Sequence, residues 1–188
     1  MFAKLLGRAL ISRSVPEILL RIAQRTPDEP IYSVVNPGAL YMERFWLFNK
    51  ITNERRKYPW IKFSIRIHII HEADLDRHRH DHPFEAITWP LRNGYMEERI
   101  EPQFPDYEHL PVEFMDLTDH ERFVVVRRFV PPGTPIRLGY ERFHRITSLP
   151  NGPAVTFFAF GDYKGQWGFL VDGVKVLRRE YRERFKGK

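Results

Sequence analysis

The chain has 188 residues, of which 43% are hydrophobic and 14% aromatic, and its formal net charge is +6. This length fits one domain with a sizeable core, and the aromatic content excludes a disordered chain. Because the chain has no cysteine, disulfides, thiolate nucleophiles and cysteine-ligated zinc or iron–sulfur sites are excluded. No apolar run is long enough for a transmembrane helix, so we expect no membrane partner.

The basic excess lies at the two ends of the chain. Residues 1–27 carry five basic and one acidic side chains, residues 175–188 carry seven and two, and the residues between them carry 18 and 21. A nucleic-acid-binding domain would carry its basic surface on the folded body. This distribution weighs against nucleic acid as the main partner and leaves binding through the basic termini as a lesser alternative.

Residues 1–27 are predicted to form an N-terminal helical segment. One apolar stripe has helical spacing: Phe2, Leu5, Leu6, Ala9 and Leu10. Residues 14–17 resemble a capping box that opens a second helix, with Ile18, Leu19, Ile22 and Ala23 as its buried face. The arginine-rich start also resembles a mitochondrial presequence, but a helix pair packed on the body is favoured. With no secretory signal, we expect a cytoplasmic protein.

After residue 27 the hydrophobic pattern takes the period of a β-strand. Residues 61–69 alternate strictly between apolar and polar side chains and form the clearest strand. Further strands are predicted over Ile31–Val35, Glu85–Leu91, Val112–Leu117, Arg122–Val130, Phe143–Leu149, Ala154–Phe160 and Val174–Arg178. Residues 42–57 fit a short helix or a loop. Many short strands separated by turns predict an all-β domain over residues 28–178, an antiparallel sandwich or barrel, followed by a basic C-terminal tail over 179–188.

Histidines concentrate in one segment. Five of the eight histidines lie between residues 68 and 82. His78, His80 and His82 are spaced by two, so on a strand their side chains would share one face. Neutral imidazoles held rigidly are good ligands for Fe, Mn, Ni or Zn. The spacing therefore favours a metal site over a row of solvated histidines.

The segment His80-Asp81-His82-Pro83-Phe84, followed by residues 91–97, resembles the first motif of the cupin superfamily. It is also similar to an uncharacterised RmlC-like cupin group of bacteria and phages. In that group a lone His-Arg and a Trp-Gly-Phe follow, here at 144–145 and 167–169. The resemblance covers about residues 40–180. It implies a cupin-type jelly-roll barrel of antiparallel strands, with one or two N-terminal helices, and a divalent metal ion held by histidines inside the barrel.

The motif's glutamate is missing, because its position falls on Ile87. Glu85 comes two residues too early and would point away from the histidines on a regular strand, unless Pro83 introduces a bulge that turns it. Glu85 therefore stays an additional candidate ligand.

The resemblance implies His80, His82 and His144 as the metal ligands. His144 lies in an alternating segment after a turn that contains glycine. His78 lies two residues farther along the strand, about 6.6 Å away, and the register of the motif leaves it outside the ligand set.

Three neutral imidazoles would leave the charge of a divalent metal uncompensated, so the site would favour an anionic ligand. Cysteine dioxygenase, another cupin, is similar in using three histidines. Candidates for holding an acidic substrate are Arg66, Arg137, Arg145 and Tyr140. Glu97 and Glu98 would face opposite sides of a strand and form no acid/base pair. The favoured function is a metal-binding cupin, with a non-haem metal-dependent oxygenase acting on a small acidic substrate as its specific form.

Two other functions remain open. One is a metal-free cupin isomerase or epimerase with a histidine as general base. The other is a non-catalytic cupin used for binding or assembly, for example as a component of a phage particle. Because small jelly rolls leave sheet edges that a second subunit can cover, a homodimer is expected, and light scattering at micromolar concentration tests it.

Overall fold

A computed structural model describes residues 2–33, 38–74, 76–102 and 123–185. The helices are Phe2–Leu10 (α1), Val15–Ala23 (α2) and Arg178–Phe185 (α3). The strands are Ile31–Tyr32 (β1), Leu40–Phe48 (β2), Ile51–Thr52 (β3), Arg55–Arg56 (β4), Ser64–Ile70 (β5), Phe84–Arg92 (β6), Tyr95–Pro102 (β7), Phe123–Val130 (β8), Ile136–Leu138 (β9), His144–Ser148 (β10), Ala154–Tyr163 (β11), Gly168–Val171 (β12) and Val174–Leu177 (β13). The predicted all-β class with N-terminal helices is confirmed. None of the described helices is long and apolar enough to cross a membrane.

Two antiparallel sheets face each other. The larger has the strand order β1-β2-β5-β11-β6-β9, and the smaller has the order β10-β7-β8. Bridges from His80 to His144 and to Phe169 join the β12–β13 hairpin to the smaller sheet. Side chains from both sheets form one buried cluster between them, which includes Trp46, Phe84, Tyr95, Val130, Ile146 and Phe158. The two sheets therefore enclose a packed interior.

Helices α1 and α2 cover the outer face of the larger sheet. A second buried cluster joins them to it, formed by Leu10, Ala23, Phe45, Ile67, Trp89, Leu91 and Val155. The indole N–H of Trp89 donates to the carbonyl oxygen of Ala3 at 3.0 Å. At Gly7, α1 approaches the turn before β9 so closely that a Cβ would lie 2.0 Å from the carbonyl oxygen of Gly133. A glycine is required there, because any side chain would force the helix off the sheet.

The two N-terminal helices match the prediction with two differences. Ser14 occupies the N-cap position of α2, but its side chain makes no capping hydrogen bond. Ile18 and Ile22, expected to be buried, are 51% and 48% exposed. The reason is that α2 turns Leu19, Leu20 and Ala23 toward the sheet, so its buried face is rotated from the predicted one.

The polar side of β5 faces the interior of the molecule. Ile67 and Ile69 pack with the cluster under the helices. On the other side of the strand, the guanidinium of Arg66 lies 3.9 Å from the ring centroid of Trp46, and the ring of His68 lies 4.7 Å from that of Phe158. Because the helices cover the isoleucine side, the polar residues of the predicted alternation point between the two sheets.

Several strands differ from the prediction. Residues 42–57, which fitted a helix or a loop, belong to β2 and to the β3–β4 hairpin, and β7, β9 and β12 were not predicted. The predicted strand Val112–Leu117 and the second half of Ile31–Val35 lie outside the described residues. The basic C-terminal segment begins as α3, whose Tyr181 ring stacks on Phe169 at 3.8 Å.

Candidate metal centre

Three histidines meet between the sheets. His80 and His144 form an antiparallel bridge, in which the backbone N–H of each donates to the carbonyl oxygen of the other at 2.9 Å. The Nε2 atom of His82 lies 3.0 Å from Nε2 of His144. One ring nitrogen from each of the three residues lies within 4.8 Å of the others, so the group could hold a metal ion. The fold thus brings together the three histidines that the sequence pattern singled out.

Burial keeps two rings of the triad neutral. His80 and His144 are 9% and 5% exposed. Burial lowers the pKa of His80 to about 4, although Asp74 opposes the shift. Burial, together with His144 and His80, lowers the pKa of His82 well below its ordinary value. Near pH 7 both rings are therefore uncharged and offer a nitrogen lone pair.

Two of the three rings have a buried carboxylate near their Nδ1 atom. Nδ1 of His144 is 3.2 Å from Oε1 of Glu97, and Nδ1 of His80 is 3.9 Å from Oδ2 of Asp74. A carboxylate beside one imidazole nitrogen favours a proton on that nitrogen and leaves the other nitrogen free as a ligand. Glu97 therefore favours a proton on Nδ1 of His144 and leaves Nε2 for the centre of the triad, whereas Asp74 lies beyond hydrogen-bond distance of His80.

Glu97 has a role that the sequence did not indicate. It is fully buried on the inner side of β7. Burial raises the pKa of Glu97, but His144 and the guanidinium groups of Arg99 and Arg128 together lower it by more. The pKa of Glu97 therefore lies below its ordinary value. Glu98 faces the other side, where its Oε1 lies 2.5 Å from Nη2 of Arg79. The two do face opposite sides, as predicted, but only the register of β7 against β10 shows that Glu97 meets His144.

Asp81 holds the segment between the two histidines. Its fully buried carboxylate accepts hydrogen bonds from the backbone N–H groups of Glu141 and Gly168, both at 2.8 Å, and from Nζ of Lys175 at 2.5 Å. Because Asp81 points away from the triad to these donors, its neighbours His80 and His82 in the extended chain both point toward the triad. The middle residue of the His-Asp-His motif therefore anchors the ligand segment.

Glu85 does not join the histidines. Residue 85 lies on the outer side of β6, the same side as Ile87 and Trp89, which pack toward the helices. Its side chain is 49% exposed, and its carboxylate lies 3.5 Å from Nζ of Lys164. The position expected for the motif's glutamate, Ile87, also faces away from the triad. Along this part of β6 the regular alternation is kept, so Pro83 does not turn Glu85 inward.

His78 lies apart from the ligand group. The expectation that it shares a face with His80 and His82 is not met, because residues 78–82 form no continuous strand. Its Nδ1 atom lies 3.0 Å from the hydroxyl oxygen of Tyr181, and its ring packs on Phe185. His78 is therefore part of the contact with α3.

Of the four residues expected to hold a substrate, Arg66 faces the interior and the other three do not face the triad. Arg137 is exposed on the outer side of β9, between two inward-facing residues. Arg145 lies on the outer side of β10, where its Nη1 donates to the carbonyl oxygen of Arg77 at 2.8 Å. The ring of Tyr140 packs against Gly165 and under Nζ of Lys175. For the two arginines, the reason is strand alternation, which turns them outward beside inward-facing neighbours.

A histidine triad thus lies inside a pair of facing antiparallel sheets, with two histidines from the segment before β6 and one from β10. The two antiparallel sheets and the place of the histidines agree with the cupin-type jelly roll that the sequence predicts. The RmlC-like subgroup and a phage origin stay predictions.

No protein-family model and no curated protein matches this chain. Among solved structures, a cupin-like protein from Thermotoga maritima is similar at 14% identity and a TM-score of 0.39, with 78% of this chain and 86% of that chain covered. Recombinant oxalate oxidase in complex with glycolate is similar at 12% identity and a TM-score of 0.44, covering 73% and 58%. The iron(II) form of HppE is similar at 12% identity and a TM-score of 0.40, covering 66% and 52%. The chain spans little more than half the length of the last two.

Acid should destabilise the metal-free protein. Burial lowers the pKa of His68 to about 3 and that of His80 to about 4 in the folded state, whereas an unfolded histidine titrates near 6.5. The unfolded state therefore binds more protons, and stability that is present above about pH 6.5 is lost as the pH falls toward the folded pKa values. Each such histidine lowers the free energy of unfolding by up to about 1.4 kcal/mol per pH unit in that window. Urea denaturation at pH 7 and pH 5, with a chelator present, measures this; equal stability at both would contradict burial of neutral histidines.

Proposed function

We propose that the protein binds one divalent metal ion through His80, His82 and His144 and is a non-haem metal-dependent oxygenase acting on a small acidic substrate. The observation that carries this proposal is the convergence of three ring nitrogens within 4.8 Å. Nitrogen ligands bonded at about 2.1 Å to one metal are about 3.0 to 3.4 Å apart, and the Nε2 atoms of His82 and His144 are 3.0 Å apart. The residues present therefore fit a metal ion.

The donor set favours certain metals. Imidazole nitrogens suit Fe, Mn, Ni or Zn, whereas Mg and Ca prefer oxygen ligands. With no carboxylate among the three ligands, the site would keep the full charge of the metal, which favours an anionic substrate. When bound, the metal would supply Lewis-acid or redox chemistry at its open coordination positions.

The chain's own residues prepare the site. Glu97 favours the tautomer of His144 that carries its proton on Nδ1, the nitrogen that faces away from the centre. The rings of Phe84 and Phe158 lie 5.8 and 6.1 Å from that of His82 and exclude water from one side of it. Because the ligands come from a bridged pair of segments, their positions are fixed before any metal binds.

Metal analysis and oxygen uptake test the proposal. Untagged protein is analysed for metal as purified and after separate loading with Fe(II), Mn, Ni and Zn under argon. We expect near-stoichiometric metal, and oxygen consumption by the iron form when small carboxylic acids are added. Absence of bound metal under every loading condition would refute the proposal. The remaining functions would then be the metal-free isomerase or epimerase and the non-catalytic cupin. Bound metal without oxygen uptake on any acid would refute the oxygenase and leave a Lewis-acid role.

Glu97→Gln should weaken metal binding by about 10 to 100-fold, the range for loss of an outer-shell partner of a ligating histidine. The amide removes the negative charge beside Nδ1 of His144 and can present its NH₂ group there, which no longer favours the required tautomer. Competition with a chromogenic chelator measures the affinity. Glu98→Gln is the matched control, since its side chain lies on the opposite side of β7. Equal affinity in wild type and Glu97→Gln would show that Glu97 does not orient the ligand.

A further inference from the structure

His68 is a buried polar residue that the metal triad does not use. It lies on the inner side of β5 and is 8% exposed. Its Nε2 atom is buried and has no hydrogen-bond partner among the described residues. Its ring is 4.7 Å from the ring of Phe158, which is 6.1 Å from that of His82. His68 therefore faces the same interior as the triad, with one aromatic ring beside both.

Arg66 lies on the same side of β5, about 6.6 Å along the strand from His68. Its guanidinium stacks over Trp46 at 3.9 Å, and its Nη2 lies 3.1 Å from Oδ2 of Asp28, which also lies 3.8 Å from Nε of Arg44. Burial lowers its pKa to about 10, so it is charged at neutral pH. Two arginines thus share the single carboxylate of Asp28, and Nε of Arg66 is also buried without a hydrogen-bond partner in the described part of the chain.

These unpaired nitrogens need an acceptor. A buried polar group without a hydrogen bond costs free energy and calls for a specific explanation. Arginine Nε is always a donor, and a neutral histidine offers one N–H and one lone pair. With the proton of His68 on Nε2, the two nitrogens are donors beside an excess positive charge, and they would match the two negatively charged oxygens of a carboxylate.

We propose that His68 and Arg66 form a subsite that receives the carboxylate of the substrate of the metal centre. This inference rests on the proposed function, because the other end of the same molecule would reach the triad past Phe158. The substrate class is accordingly a small carboxylic acid with a second polar group at the end away from the carboxylate. The charged guanidinium of Arg66 distinguishes such acids from neutral molecules of the same size, and His68 adds a hydrogen bond to the carboxylate.

Acid binding by variants tests the subsite. Zinc-loaded and metal-free protein are titrated calorimetrically with glycolate, malonate and succinate, and zinc content is measured by mass spectrometry. His68→Leu should weaken binding of the best of these acids at least tenfold while its zinc content stays that of wild type. His68→Gln, which keeps an N–H donor, should restore most of the affinity. Arg137→Gln is the control, since its side chain is on the outer surface. Should His68→Leu fail to fold, Arg66→Gln takes its place with the same expected loss.

Stability separates a binding role from a structural one. Because His68→Leu removes a buried unpaired nitrogen, the metal-free variant should resist urea at least as well as wild type. A less stable variant that binds the acids as wild type does would make His68 structural and overturn the proposal. Loss of zinc from His68→Leu, or no binding of any of the three acids by wild type, would also overturn it. If no variant and no wild-type protein binds metal, the proposed function fails, and the metal-free titrations still decide whether the subsite exists.

Discussion

His80→Ala, His82→Ala and His144→Ala should each remove most of the bound metal, whereas His78→Ala should leave it near the wild-type level. The three ring nitrogens lie within 4.8 Å of one another, so each variant removes one of three converging ligands. Since loss of an outer-shell partner already costs about 10 to 100-fold in affinity, loss of a ligand should exceed that range. Metal content after dialysis against a weak chelator measures the effect, with circular dichroism to verify folding.

The control variants come from the same histidine-rich segment. His78 contacts Tyr181, and Nε2 of His71 lies 2.9 Å from Oε2 of Glu43, so neither ring belongs to the converging group. His71→Ala should therefore keep the metal as His78→Ala does. If His78→Ala emptied the site while His144→Ala did not, the third ligand would lie elsewhere and the register of the motif would be wrong.

Asp81→Ala should lower the free energy of unfolding by about 3 to 5 kcal/mol, the range for removing one partner of a buried ion pair. The substitution leaves the ammonium of Lys175, whose side chain is 15% exposed, without its carboxylate. It also leaves the backbone N–H groups of Glu141 and Gly168 without the acceptor that Asp81 provides. Because the same segment carries His80 and His82, metal content should fall as well. Urea denaturation and metal analysis of the same samples measure both effects.

Glu85→Ala is the matched control for Asp81→Ala. Glu85 also belongs to a lysine–carboxylate pair, but that pair with Lys164 is about half exposed, and such pairs contribute about 0 to 1 kcal/mol. The stability and the metal content of the Glu85→Ala protein should therefore both stay near wild type. An Asp81→Ala protein as stable as Glu85→Ala would mean that the His80–His144 bridge alone holds the ligand segment.

Much of this site could be predicted from short stretches of sequence. The spacing of two between His80 and His82 places both rings on one side of an extended chain, because side chains alternate with every residue. The alternation over residues 61–69 and the stripe of α1 predict a strand and a helix for the same kind of local reason. The direction of the Glu85 side chain could not be predicted, because a bulge at Pro83 would have turned it toward the histidines. The sequence does not show whether a proline bends its strand.

Contacts between strands that are distant in sequence could not be predicted from short stretches of sequence. Whether Glu97 meets His144 depends on the register of β7 and β10, which are 47 residues apart at these positions and paired only in the folded protein. Asp81 likewise finds donors from Gly168 and Lys175, on strands that follow it by almost half the chain. Such pairings result from the packing of the whole barrel and leave no local pattern in the sequence.

The sequence by itself determined that this is a β-rich chain with N-terminal helices and a closely spaced histidine pair, because these features follow from residue spacing alone. Only the tertiary structure decided which side of β5 is the inside. Alternation shows that the two sides of a strand differ, but either side can face the interior. Here α1 and α2 cover the isoleucines, which buries their apolar surface, and the opposite side, with Arg66 and His68, is left to face the triad.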